Sequence, residues 1–115
     1  MIQKIKSSPE CLILQLRADL IMENAREFYE EFLESIDGHG ADVLLDFSKT
    51  RFIDSSGIGI LLKCTESANS LECNLLIHGL NRQMTAVFKL AGLLKIFELV
   101  EEDVARERYP ELFQA

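Results

Sequence analysis

The stretch 54–59 carries the residue types best suited to chemistry, because it reads Asp-Ser-Ser-Gly-Ile-Gly shortly after an apolar segment. Asp and Ser are favoured at the start of a helix, since their side-chain oxygens accept the free amide protons of the first turn. A serine hydroxyl placed there lies at the positive end of the helix dipole, where a phosphate group would be tolerated. The stretch therefore predicts either a plain helix cap or a serine that can be phosphorylated.

Gly57 and Gly59 fall within the first turn of the predicted helix. Glycine costs roughly 1 kcal/mol in a helix interior relative to alanine. Two glycines here indicate that this backbone packs tightly or that something must approach it closely. The neighbouring acids Asp46 and Asp54 are predicted to be turn and cap residues.

The other reactive residues form no recognisable catalytic pattern. The sequence lacks both the Gly-x-Ser-x-Gly nucleophile elbow and the Gly-x-x-x-x-Gly-Lys-Ser/Thr phosphate loop. His39 and His78 have no spacing that ties them to Ser55, and no histidines, cysteines or paired acids cluster as metal ligands do. We therefore expect a protein that is not an enzyme and that uses no metal or other cofactor.

The composition is that of one soluble globular domain over 1–115, with 48% hydrophobic and 27% charged residues. A net charge of -7 disfavours binding to nucleic acid or to anionic membranes. The N-terminus is too polar for a signal peptide, and no apolar run reaches the roughly 20 residues of a membrane span. A cytoplasmic protein without membrane insertion is expected, with three reduced thiols at Cys11, Cys64 and Cys73.

The apolar spacing predicts an alternation of strands and helices in the order β-β-α-β-α-β-α-β-α. Such alternation is typical of an α/β fold with a mixed, mostly parallel sheet, here of about four or five strands with about four helices. The first two strands are expected to pair as a hairpin. The predicted strands are 1–8, 11–16, 43–47, 72–78 and 96–100, and the predicted helices are 24–36, 55–70, 81–91 and 101–109.

Helical spacing also predicts which side chains face inward. Asn24 is expected to cap the first helix in a capping box with Glu27. The outward face of the second helix is expected to expose Ile60 beside Ser55, where it is either an ordinary surface residue or a partner contact. The predicted inward residues are Ile58, Leu61, Leu62, Thr65 and Ala68 on the second helix, and Met84, Val87, Phe88 and Ala91 on the third.

The segment 46–59 resembles the signature of the STAS domain, found in bacterial anti-sigma factor antagonists and in the tails of sulphate transporters. That signature is an apolar strand ending in Asp, a short extended piece, and then Asp-Ser-Ser-Gly or Asp-Ser-Thr-Gly followed by an apolar residue and Gly. The later run 91–97, Ala-Gly-Leu-Leu-Lys-Ile-Phe, is similar to the turn and last strand of the family. The likeness covers nearly the whole chain in the same element order.

The resemblance implies a regulator switched by phosphorylation at Ser55. In the antagonists, a kinase that is itself the anti-sigma factor binds the unphosphorylated form, and a phosphatase resets the switch. Because the net charge is -7, the contact surface of the partner is expected to be neutral or basic. The residues predicted to bind the partner, from the resemblance together with the outward face of the second helix, are Asp19, Asp54, Ser56, Gly57, Ile58, Gly59, Ile60 and Lys63.

One position departs from the family pattern. Antagonists usually carry Gly-Glu-hydrophobic-Asp after the second strand, whereas this chain has Ala18-Asp19-Leu20-Ile21. In the family that second acid lies beside the phosphorylation loop and the kinase contact. The alternative reading is therefore a STAS interaction subunit without a phosphate switch, in a sensory complex or beside a lipid or anion transporter.

Overall fold

The computed structural model describes residues 1–114 and contains the predicted order of strands and helices. Two short 3-10 helices, Leu93–Lys95 and Pro110–Phe113, add to that order. The strands are β1 (Ile2–Ser7), β2 (Cys11–Leu16), β3 (Asp42–Asp46), β4 (Asn74–His78) and β5 (Glu98–Leu99), and the helices are α1 (Ala25–Ile36), α2 (Ser55–Ser70), α3 (Arg82–Leu90) and α4 (Glu102–Arg108).

The five strands form one sheet in the order β1-β2-β3-β4-β5. β1 is antiparallel to β2, and every later pair is parallel, which confirms the predicted mixed sheet and its initial hairpin. The three central strands are apolar on both faces because both faces are covered. One face packs on α1, α2 and α3, while the residues of the other face, Ile13, Leu44 and Leu76, pack with Ala105 and Tyr109 near the C-terminus.

The last strand is shorter than predicted. Phe97 donates its backbone N–H to the Leu93 carbonyl at 3.1 Å, which keeps residues 93–97 in a helical turn. Ile96, expected inside the strand, is 53% exposed. Only Glu98 and Leu99 remain to pair with β4, so the prediction of a strand over 96–100 was wrong at its start.

The predicted capping box of α1 was also wrong. Asn24 occupies the N-cap position but makes no side-chain cap bond. Its Oδ1 atom accepts from the Ile21 N–H at 3.0 Å, and its amide donates to the Asp19 carbonyl at 2.7 Å. The side chain is therefore used to shape the loop before the helix.

The buried stripes of α2 and α3 are narrower than predicted. On α3 only Met84 and Phe88 are buried, whereas Val87 and Ala91 face solvent. On α2, three of the predicted inward residues are half-buried, and Ile60, predicted to be exposed, is half-buried against the core. The buried residues of α2 are Gly57, Leu61, Cys64 and Ala68. Within residues 1–114, no helix combines the length and apolarity needed to cross a membrane.

Candidate functional site

Two loops at the carboxyl edge of the sheet lie side by side and position Ser55. The segment 18–22 follows β2, and the segment 50–54 precedes α2. The Leu20 N–H donates to the Phe52 carbonyl at 3.1 Å, and the Asp54 N–H donates to the Leu20 carbonyl at 3.2 Å. The Thr50 hydroxyl adds a bond to the Ala18 carbonyl at 2.9 Å. The loop that delivers Ser55 is therefore fixed by backbone pairing to its neighbour.

The carboxylates of Asp19 and Asp54 bind these two loops to each other. Asp19 Oδ1 accepts from the N–H groups of Arg51 at 2.8 Å and Phe52 at 3.2 Å. Asp54 Oδ1 accepts from the Gly57 N–H at 2.9 Å, and Oδ2 accepts from the Met22 N–H at 3.0 Å. The bond from Gly57, and to a smaller extent the bond from Met22, lowers the pKa of Asp54 below its usual value. Both acids, predicted as partner contacts, are engaged with the backbone of this chain.

Gly57 and Gly59 have different surroundings. Gly57 is buried, and a Cβ atom there would meet Ile53 Cγ2 at 2.9 Å and would also collide with the Leu20 carbonyl oxygen. Gly57 therefore serves close packing inside the chain, and a direct contact of Gly57 with a partner stays a prediction. Gly59 is exposed, and no atom lies within 4 Å of a Cβ built there.

Ser55 is the first residue of α2 and is exposed. Gly59 lies one turn further along the same face and leaves the surface beside Ser55 flat. Ser56 and Ile58 are half-buried. Lys63 lies about 12 Å further along the helix axis, where its ammonium group is 5.3 Å from the centre of the Tyr29 ring. The structure thus brings Ser55 and Gly59 together on an accessible face, and the exposed Lys63 lies on the same face one turn beyond Gly59.

An exposed apolar surface lies beside the Ser55 loop and was missed by sequence reasoning. Phe52 is 46% exposed, and it lines a small pocket together with Val87 of α3, which is 37% exposed. Met22, whose N–H is bound to Asp54, is 67% exposed. The alternation around Phe52 could have revealed it, because Ile53 next to it is buried and successive side chains of an extended segment point to opposite faces. We call Met22, Phe52 and Val87 together the Phe52 surface.

The charge around the Phe52 surface differs from that of the whole chain. Between residues 79 and 97 the sequence has Arg82, Lys89 and Lys95 and no acidic residue. All three basic side chains are exposed, as is Arg51 beside Phe52. Arg51 also lines the small pocket with Phe52 and Val87, so an exposed basic side chain borders the Phe52 surface although the chain carries a net charge of -7.

A second feature of the same sheet edge is a cavity of about 510 Å³ beyond the carboxyl ends of β4 and β5. Its lining includes His78, whose Nδ1 atom lies 2.7 Å from the Val100 carbonyl oxygen. Ser48, Thr85 and Phe113 also line it. We call this space the His78 cavity. Sequence reasoning placed His78 near the rim of the sheet and found no role for it.

The family model described as "Mlab, STAS domain" matches residues 4–101. The match spans most of the chain and includes both loops around Ser55. The chain belongs to the STAS domain family. Among curated proteins, none matches this chain significantly.

Solved structures show the same fold. An anti-sigma factor antagonist from Mycobacterium paratuberculosis is similar with a TM-score of 0.76 and 16% identity, over 93% of this chain and 92% of that chain. The phosphorylated form of Bacillus SpoIIAA has a TM-score of 0.67 and 20% identity, over 94% and 98%. The murine anion transporter Slc26a9 has a TM-score of 0.70 and 17% identity, over 78% of this chain and 15% of that chain. These likenesses confirm the STAS fold expected from the sequence.

Proposed function

We propose that this protein is an anti-sigma factor antagonist or a related partner-switching regulator, switched off by phosphorylation of Ser55. It acts as a cytoplasmic binding module and not as an enzyme. The observation that carries the proposal is the exposed hydroxyl of Ser55 on a rigidly paired loop, at the start of a helix of 16 residues. A kinase can reach that hydroxyl, and the helix dipole stabilises the phosphate that results.

The proposed partner binds the Phe52 surface and the adjoining face of Ser55, Ser56 and Gly59. Because Arg51 is exposed and lines the same pocket as Phe52, we expect acidic groups of the partner close to an apolar centre. The expectation of a neutral or basic partner surface, drawn from the net charge, applies to the rest of the contact. The partner is a serine kinase that is also the anti-sigma factor, and a phosphoserine phosphatase restores the active form.

Phosphorylation would oppose this binding through charge and hydration. A phosphoserine adds about 1.5 to 2 negative charges at neutral pH. Placed three residues after Phe52, that charge would repel the acidic residues of the partner and would have to lose water on docking. Neither effect requires a change of fold, because the phosphate lies outside the core.

A second candidate is an interaction subunit without a phosphate switch, for example beside a transporter. It is favoured by Ile21, where antagonists usually have an acid, since Ile21 is half-buried and supplies no charge beside Ser55. The likeness of this chain to part of the anion transporter Slc26a9 is compatible with it. Asp19 is close in the sequence to the position of the missing acid, but its Oδ1 atom accepts from the Arg51 and Phe52 N–H groups.

The two candidates are separated by the intact mass of the protein purified from its native host, with the modified residue mapped. The switch predicts one added phosphate on Ser55 in part of the protein under some growth or stress conditions. A Ser55→Ala variant expressed in the same host is the control and should lose that mass shift. Complete absence of phosphate across conditions would reject the switch and support the second candidate.

A binding assay tests the second part of the proposal, that a negative charge at Ser55 weakens binding of the partner. The Ser55→Ala protein should retain a serine-kinase partner from host extract, and Ser55→Asp should retain at least about tenfold less. Ser70→Asp is a matched control, because it adds the same charge to an exposed serine at the far end of α2. Equal retention by Ser55→Ala and Ser55→Asp would show that the serine has only a structural role.

A further inference from the structure

The His78 cavity lies outside the surface proposed for the partner. Its volume of about 510 Å³ falls within the range of small-molecule sites in proteins. It lies beyond the carboxyl ends of two parallel strands, where open α/β sheets usually bind ligands. Its apolar lining includes Leu80, Leu99 and Phe113.

His78 supplies a hydrogen-bond acceptor to this cavity from a mostly buried ring. The side chain is only 9% exposed, and its Nδ1 atom lies 2.7 Å from the Val100 carbonyl oxygen. A carbonyl oxygen only accepts, so Nδ1 carries a proton and the neutral ring presents Nε2 as an acceptor. No residue among 1–114 forms a hydrogen bond with Nε2. The ring is held edge-on to Phe113, with the ring centres 6.0 Å apart.

The two hydroxyl groups of the lining are acceptors as well. Ser48 donates its hydrogen to Asp46 Oδ2 at 2.6 Å. Thr85 donates its hydrogen to the Asn81 carbonyl at 2.8 Å. Each hydroxyl has a single hydrogen, so only lone pairs remain for a ligand in the cavity.

The remaining polar side chains of the lining are the carboxylates of Glu101 and Glu102. Glu102 is paired with Arg106 at 3.6 Å, and the Arg106 guanidinium lies 4.3 Å from the centre of the Phe113 ring. Glu101 has no ion pair among residues 1–114. Every polar side chain that lines the cavity is therefore an acceptor, and one carboxylate is left without a nearby counter-charge.

We infer that the His78 cavity binds a small organic cation that presents several N–H donors, namely a guanidinium or a primary ammonium group with a short apolar part. The N–H groups bond to Nε2 of His78 and to the hydroxyl oxygens, and Glu101 compensates the positive charge. The apolar part packs on Leu80, Leu99 and Phe113. An anion is disfavoured because no lining side chain donates to it. This inference does not depend on the proposed function.

The test is a two-dimensional amide NMR titration of the full chain with propylguanidinium. Saturable shifts are expected at the amides of Gly79, Leu80 and Leu99. The matched control ligand is N-propylurea, which is neutral and nearly the same shape. It should bind at least about tenfold more weakly, since a charged hydrogen-bonded group is lost.

Three variants test the assigned groups. His78→Phe keeps an aromatic ring beside Phe113 but removes the acceptor, and it should weaken binding at least about tenfold. Thr85→Val and Glu101→Gln alter exposed or partly exposed positions, so they report on the site even if His78→Phe does not fold. Each should weaken binding several-fold. Glu66→Gln, on the exposed face of α2, is the control for general charge and should leave the affinity unchanged.

Three results would overturn the assignment. The first is equal binding of propylguanidinium and N-propylurea. The second is a set of shifts confined to the acidic face of α1, which would indicate general attraction to the negative chain. The third is much tighter binding of a Gly-Arg-Gly peptide at the same amides, which would make the occupant a partner side chain and not a small molecule.

Discussion

The surface around Ser55 and the His78 cavity lie at the same edge of one sheet but are built in opposite ways. The Ser55 loop is shaped by backbone pairing and by two carboxylates that bind the backbone of this chain. The result is an exposed face with apolar and basic side chains. In the cavity, backbone carbonyls accept hydrogen bonds from His78 and Thr85. The remaining acceptor atoms of these side chains are left for a ligand. The first region suits a protein partner, and the second suits a small cation.

Asn81 connects the two regions. Its amide donates to the Arg51 carbonyl at 3.0 Å, and its Oδ1 atom accepts from the Met84 N–H at 2.8 Å. Its own carbonyl accepts from Thr85, which lines the cavity. A sequence motif detects the first region because it lies within one short stretch. The cavity is assembled from five separate segments and has no such signature.

The largest expected effect comes from Gly57→Ala. The new Cβ would collide with the Leu20 carbonyl and with Ile53, so we expect a loss of roughly 2 to 3 kcal/mol in the free energy of unfolding. Gly59→Ala is the matched control in the same helix and should stabilise by about 0.5 to 1 kcal/mol. Urea unfolding of both variants measures the difference. Equal effects would show that the packing of Gly57 does not fix the Ser55 loop.

Next in size is Asn81→Ala, which removes the cap of α3 and the bond to the Ser55 loop. We expect a loss of about 1 kcal/mol. Asn81→Asp keeps an acceptor for the Met84 N–H but cannot donate to the Arg51 carbonyl. Comparing it with Asn81→Ala therefore distinguishes the contribution of the helix cap from that of the bond to the Ser55 loop. Urea unfolding gives the stabilities, and amide NMR shifts show which region moves. Shifts confined to the cavity in Asn81→Asp would contradict a connection between the regions.

A smaller effect is expected from Ser55→Asp on stability. The added carboxylate lies at the N-terminus of α2, where the helix dipole favours it by about 0.3 to 1 kcal/mol. The variant should therefore unfold at slightly higher urea than Ser55→Ala. A clear loss of stability would contradict the idea that a phosphate is tolerated there. The same variant should leave the binding of propylguanidinium to the His78 cavity unchanged, because Ser55 does not line that cavity.

The smallest effect at neutral pH is expected from Asp54→Asn, since Asn is also a good N-cap residue. The difference should appear in acid. The pKa of Asp54 is lowered in the folded state by the N–H groups of Gly57 and Met22. Its stabilising contribution is therefore complete above the unfolded pKa of about 4 and is lost as the pH falls through the lower folded value. Asp54→Asn should flatten the decline of the urea midpoint below about pH 4, and an unchanged profile would contradict this.

Much of the fold could be predicted from the sequence, because the apolar periodicities of the strands and of α1 are regular. The N-cap of α2 could be predicted as well, since Asp54 followed by Ser55 is a local signal. The errors fall where local and tertiary preferences compete. Ile60 and Val87 have similar apolar character, yet Ile60 is half-buried and Val87 is exposed, because the position of neighbouring elements decides which side of a helix is covered.

The order of elements, the family and the position of Ser55 at a helix start could be predicted, because each depends on residues close together in the chain. The burial of Gly57 beside an open Gly59, and the bonds by which Asp19 and Asp54 join two loops, became evident only from the fold. The fold also places Arg51 beside Phe52 and His78 in the lining of a cavity. These features depend on distances between segments far apart in the chain, which local residue spacing does not encode.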